Sequence, residues 1–519
     1  MPEIPMQPRP PAFRPGPPRG MPPARSAAAR AVPAAGTGAE VRPWPVKWVY
    51  LFLLVHPVLA YLMRYVGGIA LVHGLVVLGA GLWICFRKNQ PLAIMQWCAY
   101  MTGAEVLWRM CKAPLPWEFA KHGIWLICLI SLLRNRPKKF YGIALIYFAL
   151  LLPAIGPTFM KLSLDEARQQ IAFYLAAQLC LAVCAVRFFE VPVTTNGLQR
   201  ISLMLVAPVT GIAFLVLFKL ATSTVAFGTF SNFAASGGYG PNQVSAMLGL
   251  AAFLGVFLFL GEKRSKMLRY FFAAVAFWLL GQAVMTFSRT GLYLFVACFC
   301  TAAIFLAQAR GKGMRFILIL FLLGAVGYLA FPVLNAFTGG ELMARYEEKD
   351  LTGRDQIAAQ EVELWLESPV LGQGVGVSTY LRGIQAGGDV PPSHTEYTRL
   401  LADHGLFGVT ALILLVGMTG QAFFKAKGPW AKAVVASLAA YCFLFMVASG
   451  MRLVTPGFLL GLIHAQFQEE NPLNLRLRRR ARQMRRVMRP GMRPNPPRPV
   501  RNNPSGPLRP PQAGSLPAA

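Results

Sequence analysis

Apolar runs of about 17–22 residues recur from Trp48 to Phe467, which is the length a helix needs to cross a bilayer. They read as spans near 48–64, 67–86, 92–111, 120–133, 140–160, 170–188, 201–221, 242–261, 268–286, 291–308, 316–336, 404–424, 431–449 and 452–467. The fourth and the last are short, and merging two spans gives about twelve in place of about fourteen. With 55% hydrophobic residues and a mean hydropathy of +0.47, the chain is expected to be an all-α polytopic membrane protein rather than a soluble enzyme on an anchor. No internal repeat is evident. No cleavable signal peptide is expected ahead of the first span, because the first 45 residues are rich in Pro, Ala and Arg and hold no apolar run.

The turns between spans are mostly short. One connection, Gly339 to His404, is long and polar enough to fold outside the lipid. A polytopic chain that invests in one such loop usually does chemistry or recognition there. Three segments are expected: a disordered Pro/Arg-rich tail over 1–46, a transmembrane domain over 47–467 with the loop at 337–403 and short helices within it, and a basic Pro/Arg-rich tail over 468–519. With the N-terminus in the cytoplasm and the spans alternating, nearly every dense Lys/Arg cluster falls inside, and the long loop falls outside. The net charge of +30 therefore reads as the positive-inside pattern plus attraction to anionic lipid, not as nucleic-acid binding. The start of the C-terminal tail, Leu473 to Arg486, reads as a basic segment lying on the inner leaflet. All nine cysteines sit in apolar runs and read as small buried hydrophobes rather than disulfides or metal ligands.

Three features converge on the expected outer face. Thr286 to Gly291 joins two spans, with Arg289 where a helix leaves the membrane. Arg289 is either an interfacial arginine snorkelling to lipid phosphates or a fixed cation for a pyrophosphate, onto which a guanidinium forks. Next, Thr352 and Asp355 resemble a capping pair for a helix running to Glu367, with Ala358, Val362 and Trp365 as its apolar side and Pro369 ending it. Arg354 falls in its first turn, near a site or merely solvated. Gly372, Gly374 and Gly376 follow; no helix pattern continues from them, so they read as a tight turn joining the halves of the loop. Finally, Ser393 and Glu396 make an S-x-x-E capping box, which predicts a helix from Ser393 with His394 in its first position. A helix N-terminus disfavours the imidazolium and attracts phosphate, so a neutral base and an anion site coincide there. A surface histidine is the plain alternative.

Asn242 follows Pro241 at the start of a span, facing outward where it could bind sugar hydroxyls; a plain turn is the other reading. Glu105 and Arg109 lie four residues apart within the third span and can pair on one helix face. Charges at that depth usually face a bundle interior or a cavity, so the pair is either structural or lines a lipid-donor channel.

Taken in order from Asn242 to Gly408, these segments resemble the O-antigen ligase and Wzy-polymerase superfamily: Ser288-Arg289-Thr290-Gly291 before a span, Gly353-Arg354 opening a helix that ends at Ser368-Pro369, Gly372 and Gly374, then His394 leading to Gly405 and Gly408. The resemblance implies an all-helical, GT-C-like glycosyltransferase of the bacterial inner membrane, with both termini cytoplasmic and the large loop periplasmic. Such an enzyme moves glycan from an undecaprenyl-diphosphate carrier to a glycan, lipid or protein hydroxyl acceptor, without nucleotide sugar, cofactor or required metal. By the same resemblance His394 is the general base and Arg289 holds the pyrophosphate, with Arg354 a substrate-binding residue; Asn242, Glu105 and Arg109 join it as candidates. Partners from polysaccharide export machinery are a further expectation. Ligases of the family carry another outward arginine before the Pro-Asn segment, and Ser231 to Pro241 contains none. That departure favours a polymerase over a ligase. A transporter or lipid flippase using Glu105, Arg109 and Arg187 is the alternative of another class, although no pair of repeats supports it.

Overall fold

The computed structural model describes residues 43–87, 89–228, 230–308, 313–348, 353–385, 393–448 and 450–469. The two basic tails therefore lie almost wholly outside the described residues, as do Thr352, Pro391 and Pro392. In lipid each segment must satisfy its own backbone polar groups, and the described chain does so almost entirely as helices. They are α1 (Val46–Tyr65), α2 (Ile69–Arg87), α3 (Pro91–Met110), α4 (Phe119–Arg134), α5 (Ile143–Ala149), α6 (Ile155–Lys161), α7 (Leu164–Phe188), α8 (Thr195–Thr222), α9 (Pro241–Gly261), α10 (Lys266–Met285), α11 (Arg289–Ala307), α12 (Gly313–Phe337), α13 (Glu341–Glu347), α14 (Arg354–Glu367), α15 (Val377–Gln385), α16 (Glu396–Lys425), α17 (Gly428–Met446) and α18 (Val454–Leu462).

The chain is thus an all-α polytopic membrane protein. Among the described residues, nine helices are long and apolar enough to cross a bilayer. Two expected spans need correction. The run 140–160 is not one helix but α5 and α6, separated by turns around Pro153. Proline lacks the amide hydrogen a continuing helix needs and disfavours helical geometry in the residue before it. The run 452–467 is shorter still. A 3-10 turn over Gly450–Arg452 leads into the nine residues of α18, after which β2 (Gln466–Gln468) pairs in parallel with β1 (Pro192–Thr194). Eight of the nine cysteines are buried, whereas Cys300 is exposed, contrary to the expectation for all nine.

The bundle has an inside and an outside. Helices α7, α8, α9 and α18 are buried over most of their surface, with α3 packed on α8 and α18 packed on α7. By contrast, α1 presents Trp48, Leu51, Leu54 and Val58 outward, each about half exposed or more, as lipid contact requires.

Within the long loop lie α13, α14 and α15, followed by the start of α16; of these the sequence reading expected α14 and α16 but neither α13 nor α15. The glycine turn is followed by α15, contrary to the sequence reading. The N-cap of α14 is Gly353 with no side-chain cap, and its packed face is Ile357, Glu361 and Leu364, set against α16. The predicted face of Ala358, Val362 and Trp365 is offset from it by one residue; Val362 is exposed. The expected capping box at Ser393 does not form. Thr395 is the N-cap, its side chain accepting from Tyr397 N, and His394 precedes the helix. The Glu396 carboxylate that was to complete the box is committed to Arg399 instead, at 2.5 Å.

Candidate functional site

Arg289 is fixed by the turn that carries it. Ser288 caps α11 and accepts from Thr290 N. The Ser245 hydroxyl on α9 accepts from Gly291 N at 3.0 Å and donates to the Ser288 carbonyl at 3.0 Å. Helices α9 and α11 meet so closely that a Cβ on Gly291 would lie 2.1 Å from the Ser245 carbonyl oxygen, so only glycine fits. The preceding residue, Phe287, has φ +58°, a strained value for a bulky side chain that persists only where surroundings hold it. Its ring is fully buried and stacked on Phe227, and its carbonyl accepts from Arg345 Nε at 3.0 Å. Asn242 is drawn into the same turn, accepting from Ser288 Oγ at 2.7 Å. From this base, Arg289 Nη1 donates to the Glu348 carbonyl at 2.6 Å, while Arg345 Nη1 donates to the Glu348 carboxylate at 2.9 Å.

The other half of the site hangs on α16. Buried Asp403 accepts from Gly376 N and Ser378 N, which places the glycine turn and the start of α15 against the helix. Arg399, itself buried, bridges Glu396 and Asp403 and stacks on Tyr174 of α7, 4.4 Å from the ring centre. Three buried charges in one such triad offset each other's desolvation. Behind them, Glu361 of α14 pairs with Arg382 of α15 at 3.3 Å and accepts from Thr398 at 2.5 Å. Burial, as the largest cause, raises the Glu361 carboxyl above its ordinary range.

His394 lies half-buried among arginines. Arg452, in the 3-10 turn before α18, donates from Nη2 to the Ser393 carbonyl at 2.6 Å. Burial, and then the charges of Arg354, Arg452 and Arg382, hold the His394 imidazole down at about 4. The ring is therefore neutral at neutral pH, as expected from the sequence, but through burial and guanidinium charge rather than a place in the first helical turn. Arg354 is in turn depressed by burial and by Arg289 and Arg345. The Arg354 charge thus acts on His394, and the Arg289 charge acts on Arg354.

Glu105 and Arg109 pair at 2.7 Å. The other Glu105 oxygen accepts from Val454 N, and Arg109 donates to Tyr239 Oη, to the Trp117 carbonyl and to the Arg452 carbonyl. The pair therefore braces the turn that bears Arg452. Arg452, Arg345, Arg382 and the Glu396–Arg399–Asp403 triad were missed from the sequence. The triad had a readable signal, charges at i, i+3 and i+7 at the start of a span, so that Arg399 lies three residues from one carboxylate and four from the other. Arg452 and Arg345 act across long sequence separations and gave none.

The assembled groups comprise a neutral imidazole beside several guanidiniums in a partly desolvated setting. They can accept a proton and stabilise a departing anion at one place. Among the described residues, no group of three or more His, Cys, Asp or Glu is arranged to hold a metal ion. A separate cavity of about 260 Å³ opens between Lys139, Glu190, Lys425 and His464, beside the paired strands, and shares no residue with this cluster.

The Wzy_C family model, described as O-Antigen ligase, matches residues 274–413, a segment that includes Arg289, Arg354 and His394. No curated protein matches the chain.

Proposed function

From a multi-pass helical membrane protein whose residues 274–413 belong to the O-antigen ligase/Wzy superfamily, we propose an enzyme that transfers glycan from undecaprenyl diphosphate to a hydroxyl acceptor at the periplasmic face, joining repeat units into a polysaccharide. The acceptor oxygen attacks the anomeric carbon of the donor sugar. That C–O bond forms as the bond to the diphosphate oxygen breaks, and the electron pair leaves with the lipid diphosphate. Arg289 and Arg354 hold the departing anion, and His394 takes the hydroxyl proton, a role typically worth about 10²–10⁴-fold. The single observation that carries this reading is that Arg289, Arg354 and His394 all lie within the segment 274–413 that the O-antigen ligase family model matches; the Arg354 charge acting on His394 supports it. Asn242 orients the Arg289 turn through Ser288. Glu105 and Arg109 act on the site through the Arg452 turn.

The test is reconstitution of the purified protein with lipid-linked glycan and no ion gradient. His394→Ala and Arg289→Ala are each expected to abolish transfer at normal membrane abundance. Near-wild-type product from either variant overturns its role, and lipid movement without any transferred or lengthened glycan overturns the enzyme reading in favour of a flippase.

A ligase acting on lipid A-core or a protein hydroxyl is the second reading. Two observations favour it: the description of the matched family, and Arg345 and Arg452, which bring cations from elements other than the arginine-free segment 231–241. In a deletion strain, lipopolysaccharide capped by a single repeat indicates lost polymerisation. Long glycan accumulating on the carrier indicates lost ligation.

A further inference from the structure

We propose that Trp117 and Tyr239 form an aromatic subsite that receives a sugar ring of the acceptor glycan; this rests on the glycan-transfer reading above. Trp117 lies in the connection between α3 and α4, between Pro116 and Glu118, with 55% of its surface exposed. The Arg109 guanidinium lies 4.6 Å from the centre of its ring, and Arg109 Nη2 also donates to the Trp117 carbonyl at 3.0 Å. The same guanidinium donates from Nη1 to Tyr239 Oη at 3.2 Å. The two rings stand 6.3 Å apart at 45°. One cation thus holds both aromatics at a fixed angle, and that cation is anchored by buried Glu105.

An indole fixed in this way loses little freedom when it binds, so its exposed surface is preorganised for a flat apolar partner. The C–H face of a pyranose is such a partner. Both Arg109 Nη groups and both Glu105 oxygens beneath the rings already have partners, which leaves aromatic surface as the main recognition element.

Contact order assigns the subsite to the acceptor. On the transfer reading Arg289 holds the diphosphate, and the Arg354 charge acts on His394 while the Arg289 charge acts on Arg354. Arg452 approaches His394 through the Ser393 carbonyl, and its own carbonyl accepts from Arg109 at 3.5 Å, next to Trp117. Anion and aromatics thus join His394 through different arginines. In an in-line displacement the leaving group and the incoming hydroxyl occupy opposite faces of the anomeric carbon. With the diphosphate on the Arg354 side, the hydroxyl enters from the Arg452 side. A tryptophan serving only as a membrane-interface anchor needs neither the cation against its ring nor this connection.

The experiment compares Trp117→Leu, which keeps an apolar side chain at the surface but no ring, with Trp117→Phe, which keeps a ring. The acceptor is oligosaccharide released by mild acid from the producing cell's own surface polysaccharide. Trp117→Leu is expected to raise the acceptor KM by about tenfold, with kcat and donor KM within about twofold of wild type, and Trp117→Phe to retain most of the affinity. A second arm titrates the same oligosaccharide into His394→Ala protein, with and without Trp117→Phe. A saturable change in tryptophan fluorescence is expected only where Trp117 is present. An unchanged acceptor KM in Trp117→Leu, an equal rise in donor KM, or a fluorescence change independent of Trp117 overturns the subsite. Transfer retained by His394→Ala instead overturns the parent reading, and the fluorescence arm still reports on binding.

Discussion

Arg452 and Ser393, 59 residues apart, are joined by a 2.6 Å hydrogen bond from a guanidinium to a backbone carbonyl. The bond ties the turn before α18 to the residue preceding His394. It fixes the imidazole from outside its own loop, where the local chain offers no helical turn to hold it.

Loss of that bond frees the His394 backbone while leaving the histidine in place. A lysine keeps the charge but not the planar fork of donors. Arg452→Lys is therefore expected to lower transfer on the order of 10²-fold, the penalty for a misplacement of about 1 Å at a reacting group, with near-normal membrane abundance. Wild-type turnover in this variant removes Arg452 from the site.

The pH profile tests the guanidinium field around His394. The folded pKa, about 4, lies below the ordinary value of 6.5, so the ring is neutral above about 4 and gains its proton as pH falls through that value. The acid limb of kcat/KM, which reports the free enzyme, is expected near pH 4. If the proposed diphosphate binds there, it neutralises Arg354 and its neighbours, and the acid limb of kcat is expected to move to higher pH. Arg354→Gln removes the largest of the charge contributions and shifts the free-enzyme limb upward. Coincident limbs in kcat and kcat/KM, unmoved by Arg354→Gln, sink this account.

How far the site was legible in the sequence depends on the range of each interaction. Hydropathy located most spans because membrane burial acts on each run by itself. It failed at 140–160, where composition stays apolar while Pro153 breaks the backbone. Arg289, Arg354 and His394 could be picked out because each marks a polar break beside a span or in the long loop. The helix start near His394 was misplaced because Glu396 had a stronger partner, Arg399, than the amide of Ser393. Arg452 stayed hidden because its partners, Ser393 and Arg109, are distant in sequence and meet only after the bundle folds.

The kink that seats the loop on α16 depends on one residue. Gly405 has φ +58° and ψ −137° within an otherwise helical run, and a Cβ there would lie 2.6 Å from Gly372 N and from the carbonyl oxygens of Pro369 and Val370. All three are backbone atoms, so no side chain can swing away. Backbone strain of about 1–3 kcal/mol adds to the clash. Gly405→Ala is expected to reduce membrane abundance and to expose the loop to protease at Pro369 to Gly376. Normal abundance with an unchanged proteolysis pattern contradicts this role.

A second polar network, in α1, α2 and α3, makes a prediction separable from chemistry. His56 Nδ1 donates to the Phe52 carbonyl at 2.6 Å, which leaves Nε2 to accept from the Tyr100 hydroxyl at 3.0 Å. Trp108 Nε1 donates to His73 Nδ1 at 2.8 Å, so His73 Nε2 carries the hydrogen and donates to the Tyr100 oxygen at 2.8 Å. Four hydrogen bonds therefore run in one direction, from Trp108 through His73, Tyr100 and His56 to Phe52, with both imidazoles neutral and each tautomer set by its other partner. The chain ends at an indole and at a peptide carbonyl, neither of which passes a proton onward, so it braces the helices rather than conducting. Tyr100→Phe removes the one hydroxyl that serves both rings and strands two ring nitrogens. A loss of about 1–2 kcal/mol follows, within the range for interhelical hydrogen bonds in membranes. The thermal midpoint in detergent is expected to fall, while the transfer rate well below that midpoint stays near wild type. A wild-type midpoint in Tyr100→Phe shows that the network does not brace the helices, and a lost transfer rate at an unchanged midpoint shows that it belongs to the chemistry instead.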